Sequence, residues 1–166
     1  MTGLTVRPAE GSDAAALVRV YHSAYRENRE LGFPMKAESV AEAEVREWIR
    51  DHTVLVAEDG DTVGCEADHV DEVIAGVRLE ATGEDRVKLS RLGVHEGWKG
   101  QGVGGQLLDR AEDRIREHGY GTVWLTTPPE HPFLPDFYRD RGYEKTGDHP
   151  LDFREYDEIV LEKRLD

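Results

Sequence analysis

Residues 87–105 read VKLSRLGVHEGWKGQGVGG, and the order of apolar, polar and glycine positions in this stretch decides the fold. Residues 87–94 alternate apolar and polar side chains as a strand does. A polar connection follows, then a dense group of glycines, Gly100, Gly102, Gly104 and Gly105. Beyond them Leu107, Leu108, Ala111 and Ile115 recur at helical spacing, and Gly119 after His118 marks the stop. This succession of strand, glycine-rich turn and amphipathic helix carries chemistry. Glycines let the chain curl so that several N–H groups aim at one anion, and the helix start adds the positive end of its dipole. The unit reads as a seat for a phosphate or pyrophosphate. Gly100, Gly102 and Gly105 also satisfy G-x-G-x-x-G, the dinucleotide pattern. Two features oppose that reading. The polar residues 95–99 separate the strand from the first glycine, whereas a dinucleotide turn springs directly from its strand. Leu125, Thr126 and Thr127 also stand where a carboxylate should hold the ribose.

Upstream, residues 4–7 (LTVR) form a short strand, and Pro8, Gly11, Ser12 and Asp13 supply turn chemistry ending in a helix N-cap. Leu17, Val18, Tyr21, Ala24 and Tyr25 follow at helical spacing. After a break at Gly32, Phe33 and Pro34, Ser39 and Glu42 have capping-box spacing ahead of the stripe Ala41, Val45, Trp48 and Ile49. Residues 53–57 (TVLVA) read as a buried strand, and residues 58–72 as a Gly/Asp-rich loop holding Cys65 and His69. Residues 74–80 and 87–94 then make two strands of an antiparallel meander, joined through Thr82, Gly83, Glu84 and Asp85. Downstream, residues 122–126 (TVWLT) return as a strand parallel to residues 87–94 across the crossover helix, ended by Pro128 and Pro129. A short amphipathic segment over residues 133–141 closes at Gly142, and residues 143–146 and 158–165 complete the sheet. The expected class is α+β, an α/β three-layer arrangement with a mixed, mostly antiparallel central sheet flanked by helices, in one domain over residues 1–166.

The chain has 166 residues, enough for a domain that hides roughly 70% of its unfolded surface without disulfides or a structural metal. Lys+Arg is 21 against Asp+Glu 35, a formal net charge of -14. Such a surface repels phosphate backbones and anionic lipid heads over a Debye length of ~8 Å. Nucleic acid and membranes are therefore not expected as partners. No apolar stretch resembles a signal peptide or a membrane span, which implies a cytoplasmic protein. Cys65 is the single cysteine, so no intrachain disulfide forms, and with Glu66 and Asp68 beside it a nucleophilic role is disfavoured. Asp59-Gly60-Asp61 opens like a calcium loop, but Val63 and Val70 fall where oxygen ligands are required. Cys65 with His69 is too little for zinc, so no metal is expected. Lysine occurs only at positions 36, 88, 99, 145 and 163, and this acidic, lysine-poor composition suits a cytosol of high salt.

Residues 99–104 (KGQGVG) resemble the acyl-CoA pyrophosphate motif Q/R-x-x-G-x-G/A of the GCN5-related N-acetyltransferase family, with Lys99 replacing Gln or Arg but keeping a donor. Other segments resemble the family in order: residues 4–13 its opening strand and turn, residues 87–94 the strand before the loop, residues 137–143 (FYRDRGY) its F/L-Y-x-x-x-G-F segment, and residues 158–165 its closing strand. The similarity covers nearly the whole chain. It implies acetyl-CoA as co-substrate and direct attack by an amine acceptor, with no covalent enzyme intermediate. It further implies that the strand before the loop splays from its neighbour, so that the backbone of Leu92, Gly93 and Val94 pairs with the pantetheine arm and the Val94 N–H polarises the thioester carbonyl. Lys99, Gly100, Gln101, Gly102, Val103, Gly104 and Gly105 would hold the pyrophosphate. Tyr138 aligns with a tyrosine that protonates the CoA thiolate, and a phenol with its ordinary pKa near ~10 suits that task. The glutamate that relatives use as general base falls near Lys88, which cannot serve; Glu80, His95 and a backbone-held water stand as alternatives, with Glu80 the catalytic candidate among the side chains. His131 replaces an asparagine that contacts the cofactor in relatives. The acceptor would be shaped by residues 27–36 and 149–156, in a monomer or a homodimer. The rival readings are a non-catalytic acyl-CoA-binding regulatory module and the dinucleotide oxidoreductase.

Overall fold

A computed structural model describes residues 4–30, 40–59, 72–95, 102–132, 134–149 and 158–165. Its strands are β1 (Leu4–Pro8), β2 (Thr53–Asp59), β3 (Glu72–Ala81), β4 (Arg86–Val94), β5 (Thr122–Thr127), β6 (Glu144–His149) and β7 (Glu158–Arg164). The helices are α1 (Ala14–Glu30), α2 (Glu42–Asp51), α3 (Val103–Glu117) and α4 (Leu134–Arg139). The strands form one 7-stranded sheet in the order β1-β2-β3-β4-β5-β7-β6. Every neighbouring pair is antiparallel except β4–β5, which is parallel across α3 as the crossover predicts.

Side-chain alternation explains how one apolar run serves two faces. In β2, Val54 and Val56 pack with Leu17, Tyr21 and Val45 of α1 and α2, whereas Leu55 and Ala57 belong to the opposite core with Leu107, Leu108 and Ala111 of α3. A sheet covered on both sides has no polar face at such positions, so TVLVA reads as continuous rather than alternating. The α3-side core continues through Leu89, Leu125, Tyr138, Tyr143 and Leu161. Gly76 of β3 brings α1 close: a Cβ there would lie 2.5 Å from Leu17 Cδ2 and 3.1 Å from Tyr21 Oη.

Several boundaries differ from the sequence expectation for local reasons. Asp13 is not the N-cap; Gly11–Asp13 is a 3₁₀ turn running into α1, and the cap falls on Glu10. Asp13 takes the third position of a capping box, accepting from the Glu10 N–H at 2.7 Å, because its carboxylate is also held by Arg7 Nη1 at 2.8 Å and Nη2 at 2.9 Å. Ser39 lies outside the described residues, and α2 is capped by Ala41 with no side-chain bond. Glu42 is thus the first helical residue and pairs with Arg46 at 2.8 Å one turn on, instead of closing a capping box. The segment 133–141 narrows to a helix over Leu134–Arg139, and the strand expected from Tyr143 begins at Glu144, after the positive φ of 99° at Gly142 turns the chain. Cys65 and His69 lie outside the described residues.

Candidate active site

The parallel pair β4–β5 is short. Its register runs Arg86↔Thr122, Val87↔Val123 and Lys88↔Trp124. Beyond Lys88 the strands part: β4 stays on β3 as far as Ala75↔Val94, and β5 stays on β7 as far as Thr127↔Ile159. Each strand therefore presents one edge to the gap. The His95 N–H donates to the Ile74 carbonyl at 2.8 Å, on the β3 side. Successive N–H groups of a strand point to opposite edges, so the Val94 N–H faces the gap. Further back, Gly76↔Gly93 and Arg78↔Ser90 flank a register shift in which Arg91 and Leu92 stand opposite Val77 alone. This is a β-bulge, and Arg91 sits in it at φ 55°, a left-handed conformation that costs a non-glycine residue ~1 kcal/mol or more.

The α3 N-terminus closes the wide end of the gap. Gly102 is its N-cap at φ 82°, with no side-chain cap, and the first ladder bond runs from the Gln106 N–H to the Gly102 carbonyl at 3.1 Å. The N–H groups of Val103, Gly104 and Gly105 precede that ladder and have no partner along the helix. A Cβ at Gly104 would stand 3.6 Å from Val94 Cγ2 and 3.9 Å from Phe137 Cζ, so the end of β4, the start of α3 and α4 converge there. Arg141 packs its guanidinium against Gly105 and lies 5.0 Å from the Phe137 ring centroid and 3.7 Å from Asp109 Oδ1. Lys99, Gly100 and Gln101 lie outside the described residues. At the end of β5 the Thr127 hydroxyl is buried with no hydrogen-bond partner among the described residues. An uncapped helix start beside an arginine, two open strand edges and an orphaned buried hydroxyl suit an extended ligand with an acidic head and an amide-bearing arm. The residues present fit acetyl-CoA.

Tyr138 is 6% exposed, its ring edge-on to Phe137 at 5.1 Å and to Tyr143 at 5.5 Å. Behind it the Tyr143 hydroxyl donates to Glu112 Oε2 at 2.9 Å, and Lys163 Nζ donates to Glu112 Oε1 at 2.8 Å. Burial, and then the Glu112 charge, push the Tyr143 phenol far above its ordinary value, so it stays a donor. His131 is buried, and its Nδ1 accepts the N–H of Leu134, the first residue of α4, at 3.2 Å. That bond places the ring proton on Nε2 and makes His131 the helix cap, a role absent from the sequence reading. Glu80 is half-buried on β3 opposite Lys88, the rung at which β4 and β5 part. It sits at the narrow end of the gap, roughly 15–20 Å along the strand from Val94 at ~3.3 Å per residue. The structure thus gathers Val94, Gly104, Phe137 and Tyr138, and leaves Glu80 apart from them. His95 is half-buried directly after Val94.

Two residues of this geometry escape sequence reading. Thr127 was legible only as the absence of a carboxylate, and Arg91 owes its place to a bulge that no local pattern signals. A separate groove of about 430 Å³, with Arg7, Arg110 and Arg114 on its wall, lies between β1 and α3 at the other end of the sheet. Among the described residues no cluster of three or more His, Cys, Asp or Glu side chains could hold a metal, and no helix is long and apolar enough to cross a membrane.

The sequence profile of the Acetyltransferase (GNAT) family matches residues 17–143. An S-alkylcysteine N-acetyltransferase from Bacillus subtilis (strain 168) is 27% identical over 148 residues, covering 83% of this chain and 77% of the relative. Among solved structures, the ribosomal-protein-S18-alanine N-acetyltransferase from Escherichia coli superposes with a TM-score of 0.73 at 16% identity, over 98% of this chain and 94% of the other. YncA from Salmonella typhimurium, solved with its cofactor acetyl-CoA, gives 0.73 at 20% identity, over 99% and 95%. The parted strands and the glycine-led helix thus sit inside a profile that spans most of the chain: the protein belongs to the acetyltransferase (GNAT) family, an N-acetyltransferase with acetyl-CoA as its co-substrate.

Proposed function

We propose that the protein transfers acetyl to a small primary amine by direct attack within a ternary complex. The observation that carries this reading is the parting of β4 from β5 beyond Lys88, which frees backbone groups next to an uncapped helix start. Acetyl-CoA supplies the activated acetyl thioester. The backbone of Leu92, Gly93 and Val94 holds the pantetheine arm, and the Val94 N–H, aimed into the gap, stabilises charge that develops on the carbonyl oxygen. The amides from Gln101 to Gly105, with Lys99, Gly100 and the nearby Arg141, hold the pyrophosphate. His131 offers its Nε2–H toward the cofactor arm while Nδ1 caps α4. Tyr138 gives its proton to the departing sulfur. Glu80, at the narrow end of the gap, could receive the ammonium proton only along a chain of several waters, and His95, directly after Val94, is the nearer alternative. The Bacillus subtilis relative is named for an S-alkylated cysteine, which supports a small amino compound as acceptor. The acidic, lysine-poor composition supports a cytosolic setting of high salt.

The test is release of CoA thiol from acetyl-CoA with a panel of amines and peptides. Acceptor-dependent release is expected, and tight acetyl-CoA binding with no release by any amine would favour the regulatory module instead. Tyr138→Phe is expected to keep acetyl-CoA affinity and lower kcat by about 100-fold. Undiminished turnover in that variant removes Tyr138 as the acid.

A further inference from the structure

The bulge that aims Val94 at the gap also throws Arg91 to the opposite side of the sheet. Its guanidinium carbon lies 5.5 Å from the Trp48 ring centroid, and that of Arg78 lies 4.9 Å from the same centroid. Trp48 belongs to α2 and stands edge-on to Tyr21 of α1 at 5.8 Å. Arg78 is directly across from Val54 on one side and Ser90 on the other, so it shares the α1/α2 face, and its Nε donates to Ser90 Oγ at 3.1 Å. The cofactor's phosphate seat lies at α3, against the other face. Arg78, Ser90 and Arg91 therefore line the side from which an acceptor approaches, and Arg91 is the residue immediately before Leu92, the first of the backbone groups assigned to the pantetheine arm.

Arg91 differs from the ion-paired arginines of the protein and, with Arg114, is one of two whose buried Nε finds no partner among the described residues. Arg7, Arg46, Arg50, Arg86, Arg116 and Arg141 each have a carboxylate within ion-pair distance, as a chain with 35 acidic residues makes easy. Among the described residues Arg91 has none, and its Nε is buried with no hydrogen-bond partner. A buried donor left unsatisfied is unfavourable by about 1–3 kcal/mol. The left-handed backbone at the same residue adds strain, which persists where the surroundings or a function hold it. A strained, half-buried cation with an unmet donor, next to a second guanidinium on one indole, is arranged for an anion. A planar carboxylate matches the guanidinium fork.

We propose that Arg91, supported by Arg78, binds a carboxylate of the acceptor, so that the preferred substrates are amino acids or close analogues acetylated on the amine near that carboxylate. The proposal rests on the acetyl-transfer reading above and fixes the chemical class of its acceptor.

The experiment measures CoA release with matched triples: L-phenylalanine, L-phenylalaninamide and 2-phenylethylamine, and the corresponding leucine and methionine series. The free amino acid of at least one series is expected to exceed its amide and its decarboxylated amine in kcat/KM by about tenfold or more, the size of a charge-assisted contact. Arg91→Gln is expected to shrink that ratio towards one through KM, Arg91→Lys to restore part of it, and Arg78→Gln to reduce it less. Amides or simple amines equal to the acids overturn the proposal, as does an Arg91→Gln variant that lowers all three members equally, the mark of a structural stack. Turnover of polyamines or peptides alone also overturns it and leaves acetyl transfer intact. If no amine is turned over, calorimetric titration of the amino acids onto CoA-loaded protein decides separately. Carboxylate-dependent binding lost in Arg91→Gln keeps the anchor and ends the transfer reading, whereas no binding ends the anchor as well.

Discussion

Gly76 shows how much one hydrogen atom in place of a methyl can matter. Its missing Cβ leaves room for Leu17 and Tyr21 of α1 to rest on the sheet beside the bulge, and an added methyl would stand only 2.5 Å from Leu17 Cδ2. Gly76→Ala is expected to destabilise by about 1–3 kcal/mol, as overpacking does, which urea unfolding would read as a lower midpoint at an unchanged slope. Asp13 makes a second residue-scale case. The Arg7 guanidinium, and then the Glu10 N–H, hold its carboxyl below the usual carboxylate range against the effect of burial. Arg86 does the same for Glu162, helped by the Thr146 hydroxyl. A lowered folded pKa means stability that is fully present above the ordinary carboxylate value of about 4 and lost as pH falls through the folded value. Asp13→Asn is therefore expected to lose about 1–2 kcal/mol at pH 7 and to converge with the parent protein as the pH falls below about 3, seen in unfolding midpoints against pH. Of these residues, Asp13 was legible in the sequence as a capping residue, three positions away from the N-cap itself, which is Glu10. Gly76 and Arg91 were not legible, because their importance comes from α1 and from cross-strand register, which join positions far apart in the chain.

Elements were easier to read than their ends. Strand and helix periodicity placed the strands in the 4–7, 53–57, 74–80, 87–94 and 122–126 segments, and the parallel crossover followed from handedness and connection length. The cap at Asp13 was missed because an Asp near a helix start also answers to tertiary partners, here Arg7. The pairing that positions Tyr138 was not legible either. Glu112 was one more charged residue on an amphipathic helix, yet it is 3% exposed and binds Tyr143 from the loop after α4 and Lys163 from β7. This buried group ties α3, the α4 turn and the last strand into one wall behind the Tyr138 ring. Lys163→Met should leave the Glu112 charge with only Tyr143 and a distant Arg116, and a loss of about 3 kcal/mol is expected. Adding Glu112→Gln, which keeps an acceptor for Tyr143 and removes the charge, should recover part of that loss. A double variant as unstable as the sum of the single ones would show that Lys163 and Glu112 are not coupled.

At the scale of the whole molecule, a formal charge of -14 and a polyanionic co-substrate stand in opposition. Long-range repulsion from the surrounding carboxylates acts over the Debye length, whereas the attraction at the α3 start is local, made of oriented amides and the Arg141 guanidinium packed on Gly105. The two respond differently to salt. At ~0.01 M ionic strength the screening length is ~30 Å and the whole acidic surface opposes the approach of CoA; at ~1 M it is ~3 Å and only the contact groups remain. Acetyl-CoA affinity is therefore expected to rise as KCl is raised from ~10 mM towards ~1 M, opposite to the weakening usual for a phosphate held by surface cations. Isothermal titration across that range reads it directly. An affinity that falls throughout would mean that Arg141 and neighbouring cations, rather than the surrounding acid, dominate the field at the site. Arg141→Gln separates the contributions: it removes the local screened attraction, so its affinity should lie below the parent's most clearly at low salt and the two curves should draw together as KCl rises.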